Sequence, residues 1–454
     1  MDILIKAVQL LLSLGLLVLL HEFGHFITAR MFKTRVDKFY LFFDFLFPLP
    51  GVLNFSLFKK KVGDTEYGLG WFPMGGYVQI AGMIDENLNT DQMNEPAQPW
   101  EFRSKPAWQR LIIMLGGIIM NVLVAFLIYA MVLFAWGEKL TLMSSLKDGV
   151  EVDSTAMKLG FKNGDKIISV DNKEVKYIDD LRGSIILGHS VQLERQGEKM
   201  EISLPKNLID QVASSKSFYL MGIPRPVYVG TVSDSFANKN AGLLPKDHVI
   251  AINDSIKINT AYEFKDARDK FKNKKITLTI ERDKAIKKID VLVNGEGRTG
   301  IVLLDLKEDD MEKLGHVQFE RHKYGFFESF PAGVAKTFNV LGKYIDQFKL
   351  ILSPSTGAYK HMGGFISMGN IFPAEWDWEY FWSRTAFISV ILAFMNLLPI
   401  PALDGGHVVF TLWEMITRRK PSIKVLTYSQ YVGMAFLLLL MVYANLNDVI
   451  RLFR

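Results

Sequence analysis

Four stretches of this chain are apolar over lengths that match a lipid bilayer, and they restrict what every other part can do. A helix crossing the hydrocarbon core needs about 20 mostly apolar residues. The first stretch runs from Ile3 through Leu20 and continues into His21–Ala29; the second covers Leu111 to Trp136. The third begins near Phe381, is interrupted by Pro399 and Pro401, and resumes through Val408–Ile416; the fourth covers Tyr431 to Leu446. Within lipid each backbone polar group must find a partner inside the protein, so these stretches predict four transmembrane helices. The first reads as a span rather than a signal peptide, because it lacks a basic leading region and a small-x-small cleavage site. Trp376, Trp378 and Trp382 gather at the start of the third, where an interfacial aromatic belt is expected.

Basic residues set the expected orientation. Arg418, Arg419, Lys420 and Lys424 lie between the third and fourth spans with no acidic residue among them. Such a short loop is expected in the cytoplasm. The loop from Phe32 to Arg110 then falls in the cytoplasm too, and both termini and residues 138–380 lie outside. With 49% hydrophobic and 22% charged residues, the composition is an average over greasy spans and a charged insert. A net charge of +5 is too mild and too evenly spread to suggest a nucleic-acid partner. The absence of cysteine excludes disulfides, thiolate zinc sites and a cysteine nucleophile.

The insert holds an internal repeat. Leu159-Gly-Phe-Lys-Asn-Gly-Asp-Lys-Ile-Ile-Ser-Val-Asp-Asn aligns with Ala241-Gly-Leu-Leu-Pro-Lys-Asp-His-Val-Ile-Ala-Ile-Asn-Asp. Each copy has a Gly that ends a helix, an Asp in a turn, a strand and an Asp/Asn turn, which resembles the signature of PDZ domains. The second copy departs from it, with Lys246 where Gly is usual. Two PDZ-like α+β domains are expected at 138–222 and 223–308. PDZ domains capture extended peptides at a sheet edge; the same modules could equally serve as spacers or a cover. Beyond them, Phe330, Val334, Phe338, Leu341, Ile345, Phe348 and Leu352 repeat at helical spacing, with Lys336, Lys343 and Lys349 on the other side. This predicts an amphipathic helix on the outer membrane surface, or one packed on a soluble domain.

The chemistry concentrates in two places. His21-Glu22-Phe23-Gly24-His25 ends the first span, and histidines four apart on a helix can reach one metal while the intervening Glu faces its water. Imidazoles and a carboxylate are costly inside a bilayer unless they pair or bind something. A third ligand is needed, and the extended soluble zincin pattern fails, since Thr28 and Met31 stand where Gly and His would be. Asp404 is the best candidate, as the only acidic residue between Glu379 and Glu414, beyond a proline break and followed by Gly405-Gly406, which would loosen the backbone. His407 is its rival and is expected to orient the site or to pack. Asn121, after Gly116-Gly117 in the second span, is a buried amide that either faces the site or holds helices together.

His-Glu-x-x-His in the first span with Asn396-Leu-Leu-Pro-Ile-Pro-Ala-Leu-Asp-Gly-Gly in the third closely resembles the site-2 proteases, the intramembrane zinc metalloproteases. The likeness covers nearly the whole chain. It implies Zn2+ held by His21, His25 and Asp404, with Glu22 as general base and Asn396 on the substrate backbone or oxyanion. It also implies a membrane-associated β element, about 52–84, that receives the unwound substrate as an added strand. Thr65–Gly82, with Gly75 and Gly76, is the matching stretch, and an ordinary hairpin is the alternative. Asn121, Gly75 and Gly76 join Asn396 as substrate-binding candidates.

The expected fold is thus a polytopic α-helical membrane protein with that β element and two periplasmic PDZ-like domains. Its parts are a membrane part at 1–137, the two modules, a linker with the amphipathic helix at 309–380, and a second membrane part at 381–454. The implied activity is regulated cleavage, in the bacterial inner membrane, of single-span proteins such as an anti-sigma factor or a signal-peptide remnant. Membrane lipid is the other partner. A non-catalytic scaffold would have no need of His21, Glu22, His25 and Asp404 together, and a transporter would spread polar residues over spans that are here almost wholly apolar.

Overall fold

The computed structural model describes residues 2–46, 52–83, 96–215 and 219–453. Residue 84, where the β element was expected to end, lies outside them. The chain opens with α1 (Asp2–Met31), which keeps its helix past the His and Glu residues at its end. A four-stranded sheet follows, made of β1 (Val36–Phe43), β2 (Ser56–Val62), β3 (Thr65–Gly70) and β4 (Phe72–Ile80). Its order is β2-β3-β1-β4, with β1 and β3 parallel and β4 antiparallel to β1, so β4 is an edge strand. Stacked Tyr40 and Tyr77, with Phe43 and Phe45, form the core of this sheet. Helix α2 (Ala107–Ala135) returns alongside α1. The two approach at glycines: a Cβ on Gly24 would lie 2.3 Å from the Gly116 carbonyl oxygen.

The middle of the chain, 138–322 with 350–359, is a compact unit of its own. Its first part carries β5 (Glu138–Thr141), β6 (Glu151–Val152), α3 (Ser154–Lys158), β7 (Lys166–Val170), β8 (Lys173–Glu174), α4 (Ile178–Leu187), β9 (Ser190–Arg195), β10 (Glu198–Ser203), α5 (Leu208–Ser214) and β11 (Met221–Gly222). The second carries β12 (Val229–Val232), β13 (His248–Ile252), β14 (Ile256–Lys257), α6 (Ala261–Arg268), β15 (Lys275–Arg282), β16 (Ala285–Leu292) and β17 (Ile301–Leu303). Each part has a four-stranded antiparallel sheet, ordered β10-β9-β7-β8 in one and β14-β13-β15-β16 in the other.

The sequence repeat is a structural repeat down to its hydrogen bonds. Asp165, fully buried, pairs with Arg195 at 2.7 Å, accepts the Lys162 N–H, and Arg195 also donates to the Gly160 carbonyl. Asp247 does the same with Arg282, the Leu244 N–H and the Gly242 carbonyl. Burial alone would raise the Asp247 pKa; the Arg282 guanidinium and the turn N–H outweigh it and hold the carboxylate low. At the position before each Asp the backbone is left-handed, with φ of 87° at Gly164 and 72° at Lys246. The lysine therefore keeps the turn and bears the strain that glycine avoids.

A further segment, α7 (Glu308–Lys313) and β18 (Phe319–His322), follows the second part but packs on the first. Met311 and Val317 are buried in the first part's core, and β18 pairs with β5 in the register Phe319↔Thr141.

The chain then runs through α8 (Phe326–Leu352), α9 (Phe365–Gly369), α10 (Trp378–Leu397), α11 (Asp404–Thr417) and α12 (Ile423–Leu452). Residues 323–349 and 360–454 belong to the same compact unit as 1–137. The amphipathic helix α8 docks its small-residue face, Ser329, Gly333 and Thr337, on this unit: Gly333 meets Phe126 and Ala130 of α2, and Tyr344 meets Phe394 of α10. Its larger side chains Phe327, Phe338 and Leu352 stay exposed.

Among the described residues four helices, α1, α2, α10 and α12, are long and apolar enough to cross a membrane. Helix α2 is central, packed on α1, α10 and α11. The Arg110–Glu414 pair at 2.5 Å and the Lys420 ammonium on the Arg103 carbonyl tie the start of α2 to the last turn of α11 and the loop after it. Helix α12 is fastened by its last turns: Asp448 accepts the Gly364 and Ser367 N–H groups, and Arg451 donates to the His361 carbonyl.

Candidate metal centre

Three side chains from two distant parts of the sequence converge. His21 and His25 lie one turn apart on α1, and Asp404 is the first residue of α11. Pro399 and Pro401 end α10 at Leu397, so the chain turns through 398–403 and α11 starts inside the helix bundle instead of at its surface. Gly405 and Gly406 were expected to loosen this backbone; they tighten it instead. A Cβ at Gly405 would fall 2.1 Å from the Leu398 carbonyl oxygen, and one at Gly406 2.7 Å from that of Ile400. Gly433 lets α12 close on the same turn, where a Cβ would overlap the Pro401 carbonyl.

The ligand atoms form a triangle. His21 Nε2 and His25 Nε2 are 3.3 Å apart, and Asp404 Oδ2 lies 3.2 Å from the first and 3.1 Å from the second. Zinc bonds of about 2.0–2.1 Å in a tetrahedron put neighbouring ligands roughly 3.3 Å apart, so these side chains fit that ion. Their other atoms fit as well. His25 Nδ1 lies 2.8 Å from the Ile113 carbonyl, which requires the proton on Nδ1 and leaves the lone pair of Nε2 free for a metal. Gly117 supplies the room: a Cβ there would stand 2.4 Å from His25 Nε2 and 2.5 Å from His21 Cε1.

Glu22 lines the same cavity of about 110 Å³ as the three candidate ligands, Asn396 and His407. The Val78 N–H of β4 donates to its carboxylate. That bond fixes how the edge strand faces: with Val78 turned to Glu22, the N–H and C=O groups of Val78 and Gly76 point away from β1. Tyr77 also lines the cavity, but burial and the adjoining Asp44 carboxylate push its pKa up, so its hydroxyl stays a donor to Asp44.

A second cavity, about 280 Å³, adjoins through His21, Glu22 and Asn396 and adds Gly75, Gly76 and Asn121 together with Met434 and Leu438 of α12. All of the substrate-binding candidates thus border the site. Asn121 does so from behind His21, with its Nδ2 3.1 Å from His21 Nδ1. Gly75 and Gly76 are also packing requirements, since a Cβ would meet the Phe43 ring at 2.6 Å or the Tyr40 carbonyl oxygen at 2.8 Å. His407 is not among the converging ligand atoms; its Nε2 is 2.6 Å from Gln430 Nε2 of α12. The sequence reading passed over Gln430 and gave Gly117 no role. A buried amide at the head of an apolar helix was the only signal for Gln430, and Gly117 showed none, because its role depends on which helix lies opposite.

The family model of Peptidase family M50 matches residues 9–440. A protein of Treponema pallidum, a zinc metalloprotease by its name, is 27% identical over 99% of this chain and 100% of its own length. A zinc metalloprotease of Neisseria meningitidis, likewise so named, is 28% identical over 96% of this chain and 97% of its own. The regulator of sigma E protease of Haemophilus influenzae is 26% identical over 97% of this chain and 98% of its own.

Proposed function

The chain belongs to peptidase family M50, the site-2 proteases, and is a membrane zinc metalloprotease; from that premise we propose that it cuts single-span membrane proteins within the bilayer. The observation that carries this reading is the triangle of His21, His25 and Asp404 at zinc-ligand spacing, with Glu22 on the same cavity. His21, His25 and Asp404 would hold the ion. Bound there, zinc supplies Lewis-acid polarisation of the scissile carbonyl and lowers the pKa of a water to about 7. Glu22 takes a proton from the attacking water and delivers it to the leaving amine. The Val78 N–H orients the Glu22 carboxylate for that transfer.

A substrate helix hides its carbonyls in its own hydrogen bonds and must unwind before it can be cut. The outward N–H and C=O groups of Gly76 and Val78 on the β4 edge would receive the unwound segment as an added strand. Asn396 would hold its backbone beside Glu22. The modules at 138–222 and 223–308 are PDZ-like and lie on the periplasmic side of the inner membrane. The loops 32–110 and 417–424, with the active-site end of α1, lie toward the cytoplasm. The name of the Haemophilus relative supports an anti-sigma factor as one substrate class, and signal-peptide remnants are the other.

The test is Glu22→Gln, which keeps the shape of the side chain and removes its basicity. Zinc content should stay at the wild-type level while cleavage of a single-span substrate in detergent or liposomes disappears. His21→Ala, His25→Ala and Asp404→Ala should lose metal and cleavage together. Full activity in the Glu22 variant would sink the mechanism.

A further inference from the structure

Asn121 is fully buried in the middle of α2. Its backbone carbonyl accepts the Ser389 hydroxyl at 2.7 Å, which pins this turn of α2 to α10. Among the described residues its side chain makes one hydrogen bond, between Nδ2 and His21 Nδ1 at 3.1 Å, and its buried Oδ1 has no partner. An unpaired buried carbonyl costs about 1–3 kcal/mol, which a leucine at this position would avoid. The amide is therefore retained for its contact with the imidazole.

The chemistry of that contact depends on the metal. When His21 Nε2 gives its lone pair to a cation, the ring proton sits on Nδ1, and Nδ1 needs an acceptor. His25 meets the same need with the Ile113 carbonyl. For His21 the group in place is the Asn121 amide, whose two ends exchange on a half-turn about its last side-chain bond. Oδ1 then accepts from Nδ1–H. With the proton on Nε2 instead, the same amide would donate to Nδ1 from Nδ2, so it serves both tautomers.

We propose that Asn121 is a positioning residue that holds His21 in its metal-binding tautomer and orientation, acting on the ion rather than on the substrate. The inference rests on the reading of His21 as a zinc ligand. It makes Asn121 an acceptor in the loaded enzyme, a role that an aspartate could fill and a leucine could not. That difference can be measured.

Zinc dissociation constants are obtained by chelator competition on full-length protein carrying Glu22→Gln, so that turnover plays no part. Asn121→Leu should weaken zinc about 10–100-fold, the usual effect of losing such a partner. Asn121→Asp keeps the acceptor and removes the donor, and should bind zinc at least as tightly as the parent. Thermal unfolding of the metal-free forms shows whether the leucine variant is folded; if it is not, the aspartate variant decides by itself. The inference is overturned if Asn121→Leu binds zinc like the parent, or if Asn121→Asp binds it no better than Asn121→Leu. His21→Ala separates the two levels. Retained zinc in that variant refutes the ligand reading itself, while lost zinc there beside unchanged affinity in the Asn121 variants refutes only the positioning role.

Discussion

Replacing Gly117 by alanine tests the geometry of the centre without touching any group that does chemistry. The new Cβ would stand 2.4 Å from His25 Nε2 and 2.5 Å from His21 Cε1. Ordinary contact begins near 3.4 Å, so one or both rings must retreat by about 1 Å. Zinc sites tolerate deviations of about 0.2 Å in their bonds, so a retreat of that size removes a ligand. A four-ligand structural site gains about 10–16 kcal/mol from its ion, or roughly 2.5–4 kcal/mol per ligand. Gly117→Ala should therefore weaken zinc on the order of 10²–10³-fold. Folding should survive, because alanine is favoured over glycine in a helix by about 1 kcal/mol. Chelator competition and metal analysis on purified protein measure the first effect, and thermal unfolding of the metal-free form the second. Gly183→Ala is the control: that glycine, exposed on α4, has nothing within 4 Å of an added Cβ, so its variant should keep zinc unchanged. If Gly117→Ala holds zinc as the parent does, the imidazoles do not lie against α2 and the argument for the centre's shape fails.

Two other outcomes are expected. A single cysteine at Ser422 should be shielded from an impermeant thiol reagent in intact cells and one at Ser214 labelled in spheroplasts; both positions are exposed and the chain has no native cysteine to confuse the result, so the reverse pattern would invert the proposed topology. Lys246→Gly should stabilise the second module by about 0.5–1 kcal/mol, since a left-handed lysine costs about 1–2 kcal/mol and glycine returns about half of that in chain entropy; slower hydrogen exchange at the buried β13 amides would register the gain, and faster exchange would show that the lysine is not strained.

Much of the centre could be read from the chain because its residues are held by local rules. His21, Glu22 and His25 are tied by helical spacing, and Asp404 stands out as a lone carboxylate after a proline break. What could not be read depends on which surfaces meet. Gly24, Gly116 and Gly117 look like any small residues of a span until α1 is laid against α2. Gly405 and Gly406 suggested looseness because glycine permits it, whereas the turn at 398–401 leaves no volume for anything larger. The helical stripe of α8 was legible as a stripe, but lipid and protein make the same demand of it, so its docking on α2 and α10 was not. The likeness of the two middle modules was plain at Asp165 and Asp247, and the Arg195 and Arg282 partners, about 30 residues further on, carried no local mark.

The β5–β18 pair has a consequence in time. Domains usually finish in the order in which the ribosome delivers them, at about 5–20 residues per second. Here the first module is left open when Gly222 emerges, because Met311, Val317 and β18 are still to come. The 85 residues 223–307 separate β11 from α7, so on the order of 4–17 seconds pass while the second module is made and can close on itself. The order of completion is then reversed, with the later module folded before the earlier one is sealed. During that interval the unfinished apolar face of the first module is exposed to whatever attends the growing chain. A stop inside the second module would leave both unfinished.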